Sequence, residues 1–149
     1  MASTMVLYGH GLMYLMGEGS TTPADLEVNT WKVALFTASY SPSQDNDTVF
    51  SGLSGEVAAG NGYSAGGNSC TNPTTTYTPA SNTTKFDADD PTMWTASSSG
   101  FSFRYIVTYN SSTGALLGYN DYGSTLTLNA GDTFTFTFDS AGIVTWSVT

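Results

Sequence analysis

Hydrophobic and polar residues alternate along most of the chain, which predicts β-strands rather than helices. The longest alternation runs over residues 101–109, and a turn at residues 110–114 leads into a predicted antiparallel partner at residues 115–122. Residues 31–38 alternate as well, but both of their faces are mostly apolar. We therefore expect this strand to be covered on both sides.

Two further strand pairs follow from the same pattern. Thr-rich strands at residues 74–78 and 83–87 flank a turn at residues 79–82. The final pair, residues 133–139 and 144–148, is joined by a turn at residues 140–142, and every second side chain is large and apolar. The alternating positions predict a core of Trp31, Val33, Leu35, Phe103, Tyr105, Val107, Phe134, Phe136, Phe138, Val144 and Trp146.

One helix is predicted, at the N-terminus. Its apolar residues recur at spacings of three and four and share one face: Met5, Tyr8, Leu12, Leu15 and Met16. A helix this short is marginal alone in water, and Gly9 and Gly11 weaken it further. The apolar face must therefore pack on the same domain or on a neighbour. The linker at residues 17–23 would give reach, so we predict an oligomer or capsid contact through this face.

These elements together predict an all-β protein, an antiparallel β-sandwich or jelly roll with a short N-terminal helix. The length of 149 residues is that of one domain. We expect residues 1–22 to form the helix and linker, and residues 23–149 to form a single β-sandwich domain.

The charge balance excludes two classes of partner. The chain has 3 Lys and Arg against 12 Asp and Glu, for a net charge of -9. Three cations cannot neutralise a row of phosphates, so neither nucleic acid nor an anionic membrane surface is an expected partner. The most apolar early stretch, residues 5–16, is too short to span a bilayer.

The residues capable of catalysis are few and unsupported by neighbours. His10 stands between two glycines without a nucleophile beside it, and Cys70 has no cationic neighbour that would lower its pKa, which predicts a half-buried structural side chain. Asp121 and Asp139 lie near predicted strand ends, where acidic residues are common in any sandwich, so a hydrolytic pair is not favoured. We predict no catalytic residue, no cofactor and no enzymatic activity.

Two acidic clusters offer the oxygen ligands that calcium prefers: residues 45–47 and residues 87–90. An EF-hand loop starting at Asp87 would need glycine at position 92 and glutamate at position 98, and the chain has neither. The clusters therefore favour solvated turns with side-chain caps over a metal site.

An ordered set of short segments resembles a group of small virion structural proteins of tailed bacteriophages. The segments are WKVALFTASYSP at residues 31–42, LSGEV at 53–57, GYSAGG at 62–67, FDADD at 86–90 with Trp94, FRYIV at 103–107, LLGY at 116–119, DYG at 121–123 and GIV at 142–144. The resemblance covers about residues 28–149. The apolar N-terminal segment departs from the usual pattern.

The resemblance implies a non-enzymatic all-β virion protein made in the cytoplasm of a bacterial host. Its expected role is that of a capsid decoration or cement protein or a head-fibre subunit, in contact with the major capsid protein or with neighbouring structural subunits. A homo-oligomer is expected, with a trimer as the suggested state. The alternative is a tail or fibre-tip carbohydrate-binding module. In that role exposed aromatic rings would stack on sugars, although we expect most of the candidates to pack against a sheet or an adjacent subunit: Tyr63, Tyr77, Tyr119 and Tyr122.

Overall fold

A computed structural model describes residues 5–15 and 25–147. It is mostly β-structure with antiparallel sheets and one short helix near the N-terminus, which confirms the predicted fold class. The elements are β1 (Val6–Leu7), α1 (Gly9–Leu15), β2 (Trp31–Phe36), a 3-10 turn (Phe50–Gly52), β3 (Asn68–Cys70), β4 (Thr74–Thr78), β5 (Thr83–Asp87), β6 (Trp94–Thr95), β7 (Phe101–Asn110), β8 (Leu116–Leu128), β9 (Thr133–Phe134) and β10 (Val144–Ser147). Met16, Val148, the predicted linker at residues 17–23 and the predicted boundary at residue 22 lie outside the described residues.

A five-stranded antiparallel sheet in the order β1-β8-β7-β2-β3 organises the molecule. A three-stranded sheet, β10-β5-β4, and a two-stranded sheet, β6-β9, share a core with its inner face. That core contains large side chains from all three sheets: Trp31, Val33, Leu35, Phe86, Trp94, Phe103, Phe134, Phe136 and Val144. The alternating apolar positions of β2 thus face the smaller sheets.

The outer face of the five-stranded sheet is buried as well. Ala34, Phe36 and Val107 form a second core with Tyr8 and Tyr40. The segment after β2 and the start of the N-terminal segment supply this cover in place of a further sheet. The expectation that β2 is covered on both sides is confirmed.

A β-bulge divides β7 between the two cores. The pairing of β7 with β8 shifts register between Phe103 and Tyr105. Phe103 faces the first core, whereas Tyr105 and Val107 pack in or against the second. Phe103 and Ile106 both face the first core although they are three residues apart, so the alternation of β7 is interrupted between them. Because side chains alternate with a period of two, this interruption reverses the face of the side chains that follow. The prediction that Tyr105 and Val107 share a core with Phe103 is wrong for this reason.

The predicted C-terminal hairpin is also wrong. β9 pairs with β6 and β10 pairs with β5, so the two C-terminal strands belong to different sheets. Residues 135–139 form no strand, and the Phe138 amide donates to the Asp90 side chain at 2.7 Å instead of to a neighbouring strand. Phe134, Phe136 and Val144 still enter the core as predicted, while Phe138 and Trp146 are half-buried against it. The Thr-rich hairpin of β4 and β5 is confirmed.

The N-terminal segment is a strand followed by a helix, not one helix. Val6 and Leu7 pair with Tyr119 and Gly118 of β8, and α1 begins only at Gly9. Gln44 holds this junction. Its side-chain amide donates to the Leu7 carbonyl at 2.8 Å, and its carbonyl accepts from the Gly9 amide at 3.0 Å. Met5 therefore precedes a strand and shares no helical face with Leu12.

Gly11 explains why α1 lies so close to β8. A Cβ at this position would come within 2.6 Å of the carbonyl oxygens of both Leu116 and Leu117. These are backbone atoms, which cannot turn aside as a flexible side chain can. The glycine that weakens an isolated helix is required by its packing against the sheet.

We expect Gly11→Ala to destabilise the protein despite the higher helix propensity of alanine. Overpacking against backbone typically costs about 1–3 kcal/mol, which outweighs the gain of about 1 kcal/mol in propensity. Urea unfolding followed by tryptophan fluorescence measures the change. Gly52→Ala is the matched control, because its Cβ would meet only a Val49 methyl group at 3.8 Å. Equal midpoints for the two variants would contradict the packing of α1.

Phe136→Ala is expected to lower the free energy of unfolding by about 3–5 kcal/mol, because the ring is 1% exposed and its removal leaves a cavity. Thermal unfolding measures the loss. Thr133→Ala, at an exposed position of β9, serves as the control and should change stability little. An unchanged melting temperature for Phe136→Ala would show that residues 133–139 do not pack as described.

Candidate contact surface around the N-terminal helix

A buried chain of hydroxyl groups anchors the start of the N-terminal segment. The ring of Tyr8 is fully buried, and its hydroxyl lies 2.6 Å from that of Tyr40. Tyr40 in turn donates to Asp47 Oδ2 at 2.7 Å, so the proton between the two tyrosines comes from Tyr8. The Ser43 amide donates to the same carboxylate oxygen at 2.9 Å. One aspartate thus ties the N-terminal segment to the loop after β2.

Burial keeps these hydroxyl groups protonated. Desolvation raises the pKa of Tyr8 and Tyr40 well above the ordinary value for tyrosine, and the hydrogen bonds to Tyr8 and Asp47 raise that of Tyr40 further. The Tyr8–Tyr40–Asp47 chain therefore acts as a structural anchor and not as an acid–base group at neutral pH.

A second anchor holds the end of α1. The Tyr14 hydroxyl accepts hydrogen bonds from the side-chain amides of Asn110, at 2.8 Å, and Asn29, at 3.3 Å. Asn110 is fully buried at the end of β7. Leu15, the last residue of α1, packs half-buried against the first core. The helix is thus fixed at both ends and along the Gly11 contact.

Leu12 and Met13 project from the fixed helix into solvent. They are 40% and 47% exposed, and two further apolar residues are exposed on segments linked to α1 or to β8, Val28 at 79% and Val49 at 41%. Val28 precedes Asn29, which donates to Tyr14 of α1. Val49 bridges to Ala115, next to the Leu116 carbonyl against which Gly11 packs. We call these four residues the α1 patch.

The predicted contact set divides between the interior and the surface. Tyr8 is fully buried, and Met5 and Leu15 are half-buried against the first core. Of the described members only Leu12 is exposed. The sequence analysis missed Met13, because a stripe that includes Leu12 on the inner face leaves Met13 outside it. The signal that could have found both is Gly11: if the glycine faces the sheet, its neighbours Leu12 and Met13 cannot.

The residues considered for catalysis serve separate structural roles. Asp121 forms a bidentate ion pair with Arg104, at 2.9 and 2.8 Å, and this hydrogen bonding lowers the pKa of the carboxyl. Asp139 accepts the Ala141 amide within a turn. Cys70 is buried rather than half-buried, and desolvation raises the pKa of its thiol to about 12. His10 is exposed on α1.

The acidic clusters likewise cap local structure. Asp87 pairs with Lys85 at 2.9 Å, and Asp89 accepts from the Thr71 hydroxyl at 3.0 Å. Asp90 accepts the Phe138 amide. Within residues 5–15 and 25–147, no three His, Cys, Asp or Glu side chains come together in an arrangement that could hold a metal ion.

The expectation that most of the four candidate tyrosines pack against a sheet is confirmed. Tyr63 is buried, and its hydroxyl donates to Glu56 Oε1 at 2.8 Å. Tyr119 and Tyr122 are half-buried, against Tyr8 and Phe103 respectively. Tyr77 alone of the four is exposed.

No protein-family model matches the chain, and no curated protein and no solved structure matches it significantly. In the described part of the chain, no helix has the length and apolar character needed to cross a membrane.

The buried tyrosine hydroxyls and the buried cysteine thiol predict a loss of stability at alkaline pH. Burial raises the pKa of Tyr109 to about 12 from 10.0, and that of Cys70 to about 12 from 9.0. Because these groups are harder to ionise in the folded protein than in the unfolded one, raising the pH lowers the free energy of unfolding. Their contribution to stability is complete below pH 9 and is lost as the pH rises towards 12. Tyr8, Tyr40 and Tyr63, with pKa values raised in the same direction, extend the loss.

We expect the near-ultraviolet circular dichroism to disappear in one transition that coincides with most of the rise in tyrosinate absorbance. Tyr77→Phe, which changes an exposed ring, should leave the pH of this transition unchanged. Smooth ionisation of all the tyrosines with the dichroism intact would contradict the buried hydroxyl chain.

Proposed function

We propose that the chain is a non-enzymatic structural subunit of a tailed-bacteriophage particle, attached to the capsid shell as a decoration or cement protein or as part of a head fibre. The observation that carries the proposal is the α1 patch. A short helix is fixed to the sandwich, and it presents the adjacent side chains of Leu12 and Met13 to solvent, with Val28 and Val49 exposed on segments linked to α1 or to β8. Adjacent exposed apolar residues on a small domain indicate a contact with another protein.

The electrostatics of the chain support an apolar contact between copies. With a net charge of -9, identical subunits repel one another. Two of the three basic side chains are already in ion pairs, Lys85 with Asp87 and Arg104 with Asp121. Few basic side chains thus remain to form ion pairs between copies, which favours contact through the α1 patch. We expect a symmetric homo-oligomer, with a trimer as the expected state.

The arrangement of the aspartates fits a structural role. Several candidate carboxylates stabilise a turn, a loop or an ion pair, as Asp47, Asp90 and Asp121 illustrate. A carbohydrate-binding role at a fibre tip is less favoured, because the rings of Tyr63, Tyr119 and Tyr122 pack against other side chains of the domain.

The test is incorporation of variants into phage particles whose genome carries the altered gene. We expect the double variant Leu12→Ser, Met13→Ser to reduce the number of copies per purified particle at least tenfold, measured by quantitative mass spectrometry. Both positions are exposed, so the melting temperature of the isolated protein should change little. Met93→Ser, at an exposed apolar position outside the patch, is the matched control and should load fully.

The copy number also separates the candidate roles. Hundreds of copies per particle indicate shell decoration, whereas a few indicate a fibre or tail position. Absence of the unaltered protein from purified particles, or full loading of the double variant, would contradict the proposal.

A further inference from the structure

A pocket of about 270 Å³ opens between β8 and the segment that leads into β10. Its apolar walls include Met5, Phe136 and Phe138, and the fully buried Asn120 also contributes to its lining. The exposed residues Asp139 and Thr145 also line the pocket, together with residues 141–143. The pocket is smaller than the range of about 300–1,000 Å³ typical of sites for drug-sized ligands, and its size suits a single side chain or a small amine.

Among the described residues that line this pocket, Asp139 is the one with a charged side chain. Its position is fixed by a turn, in which Oδ1 accepts the Ala141 amide at 2.8 Å and the carbonyl accepts the Gly142 amide at 2.8 Å. The carboxylate is therefore preorganised beside an apolar cavity. Phe136 and Phe138 meet edge to face, with ring centroids 5.2 Å apart, and an aromatic ring in such a wall attracts a cation.

None of the three Lys and Arg side chains, all of which are described, supplies the counter-charge. Among the described residues no basic side chain pairs with Asp139. Arg104 is held by Asp121, and Lys32 lies half-buried in β2. The stem of Lys85 packs against Gly142 near the pocket, but its ammonium group is paired with Asp87 at 2.9 Å.

We propose that this pocket receives a lysine or arginine side chain of a different protein, with its aliphatic stem between Met5 and Phe138 and its cation at Asp139. A second copy of this chain is a poor donor, since two of its three cations are paired and the third is half-buried. A neutral ligand of the same size would leave the carboxylate without a counter-charge as water is displaced. The net charge of -9 also draws basic partners towards the surface.

The inference rests on the proposed function only for the statement that the donor is a protein. The ligand chemistry of the pocket is tested on the isolated chain with butylguanidinium chloride, followed by two-dimensional amide NMR at constant ionic strength. We expect saturable shifts at Ala141, Gly142 and Ile143, with a dissociation constant on the order of millimolar, as suits a ligand of few atoms. Sodium chloride and 1-pentanol should give no saturable shifts at these amides.

Asp139→Asn is expected to weaken binding at least fivefold, because asparagine can still accept the Ala141 amide but carries no charge. Asp132→Asn is the matched control: Asp132 is exposed and caps a turn in the same way, through the Asn129 amide at 2.8 Å, but does not line the pocket. Ala141→Leu, at an exposed position on the rim, should abolish the shifts by filling the entrance without altering the charge.

Equal binding to Asp139→Asn and the unaltered protein would overturn the proposal, as would saturable shifts with 1-pentanol or a methyl glycoside and none with butylguanidinium. The experiment uses no phage particles. A failure here thus leaves particle loading unaffected, and a failure of loading leaves the ligand chemistry of the pocket intact.

Discussion

The central constraint on this protein is a sheet that is apolar on both faces. β2 places Trp31 and Leu35 on one side and Phe36 on the other, so neither face of the five-stranded sheet can be left in water. The smaller sheets cover the inner face. The described residues form no further sheet over the outer face, and Tyr8 and the loop after β2 cover it instead. The N-terminal segment is thereby part of the fold: Tyr8 enters the outer core, while Tyr14 and Leu15 of α1 pack against the inner one.

Hydrogen bonds between side chains hold the loops of this protein in place, as backbone hydrogen bonds hold its strands. Tyr8 and Tyr40 pass a hydrogen bond to Asp47, and Tyr63 donates to Glu56. The Tyr8–Tyr40 bond joins residues 32 apart in the chain, whereas Tyr40–Asp47 and Tyr63–Glu56 each join a buried ring to a loop residue seven positions away. With only 10% charged residues, the chain relies on phenol and carboxylate contacts more than on ion pairs to fix its loops. This use of its acids leaves Asp139, in a mixed pocket, as the carboxylate with the most evident capacity for an outside ligand.

Alternation of apolar residues was enough to predict the fold class, the two-sided burial of β2 and the β4–β5 hairpin, because each depends on local pattern. It could not predict the bulge after Phe103, which depends on how β7 meets β8 and which reverses the faces of Tyr105 and Val107. Nor could it assign the partners of β9 and β10, since strand pairing is decided by distant segments. At the candidate contact surface the pattern found Leu12 but missed Met13, because the orientation of α1 is set by the close approach of Gly11 to β8.

The pairing of β1 with β8 imposes an order on folding and assembly. Val6 is synthesised well before its partner Tyr119, because β2 to β7 lie between them in the chain. Contacts so distant in sequence form late, after the intervening loops have closed. The helix α1 therefore packs against β8 only when the sandwich is nearly complete. A nascent or truncated chain would lack the assembled surface, so a partner that recognises it would select finished subunits over unfinished ones.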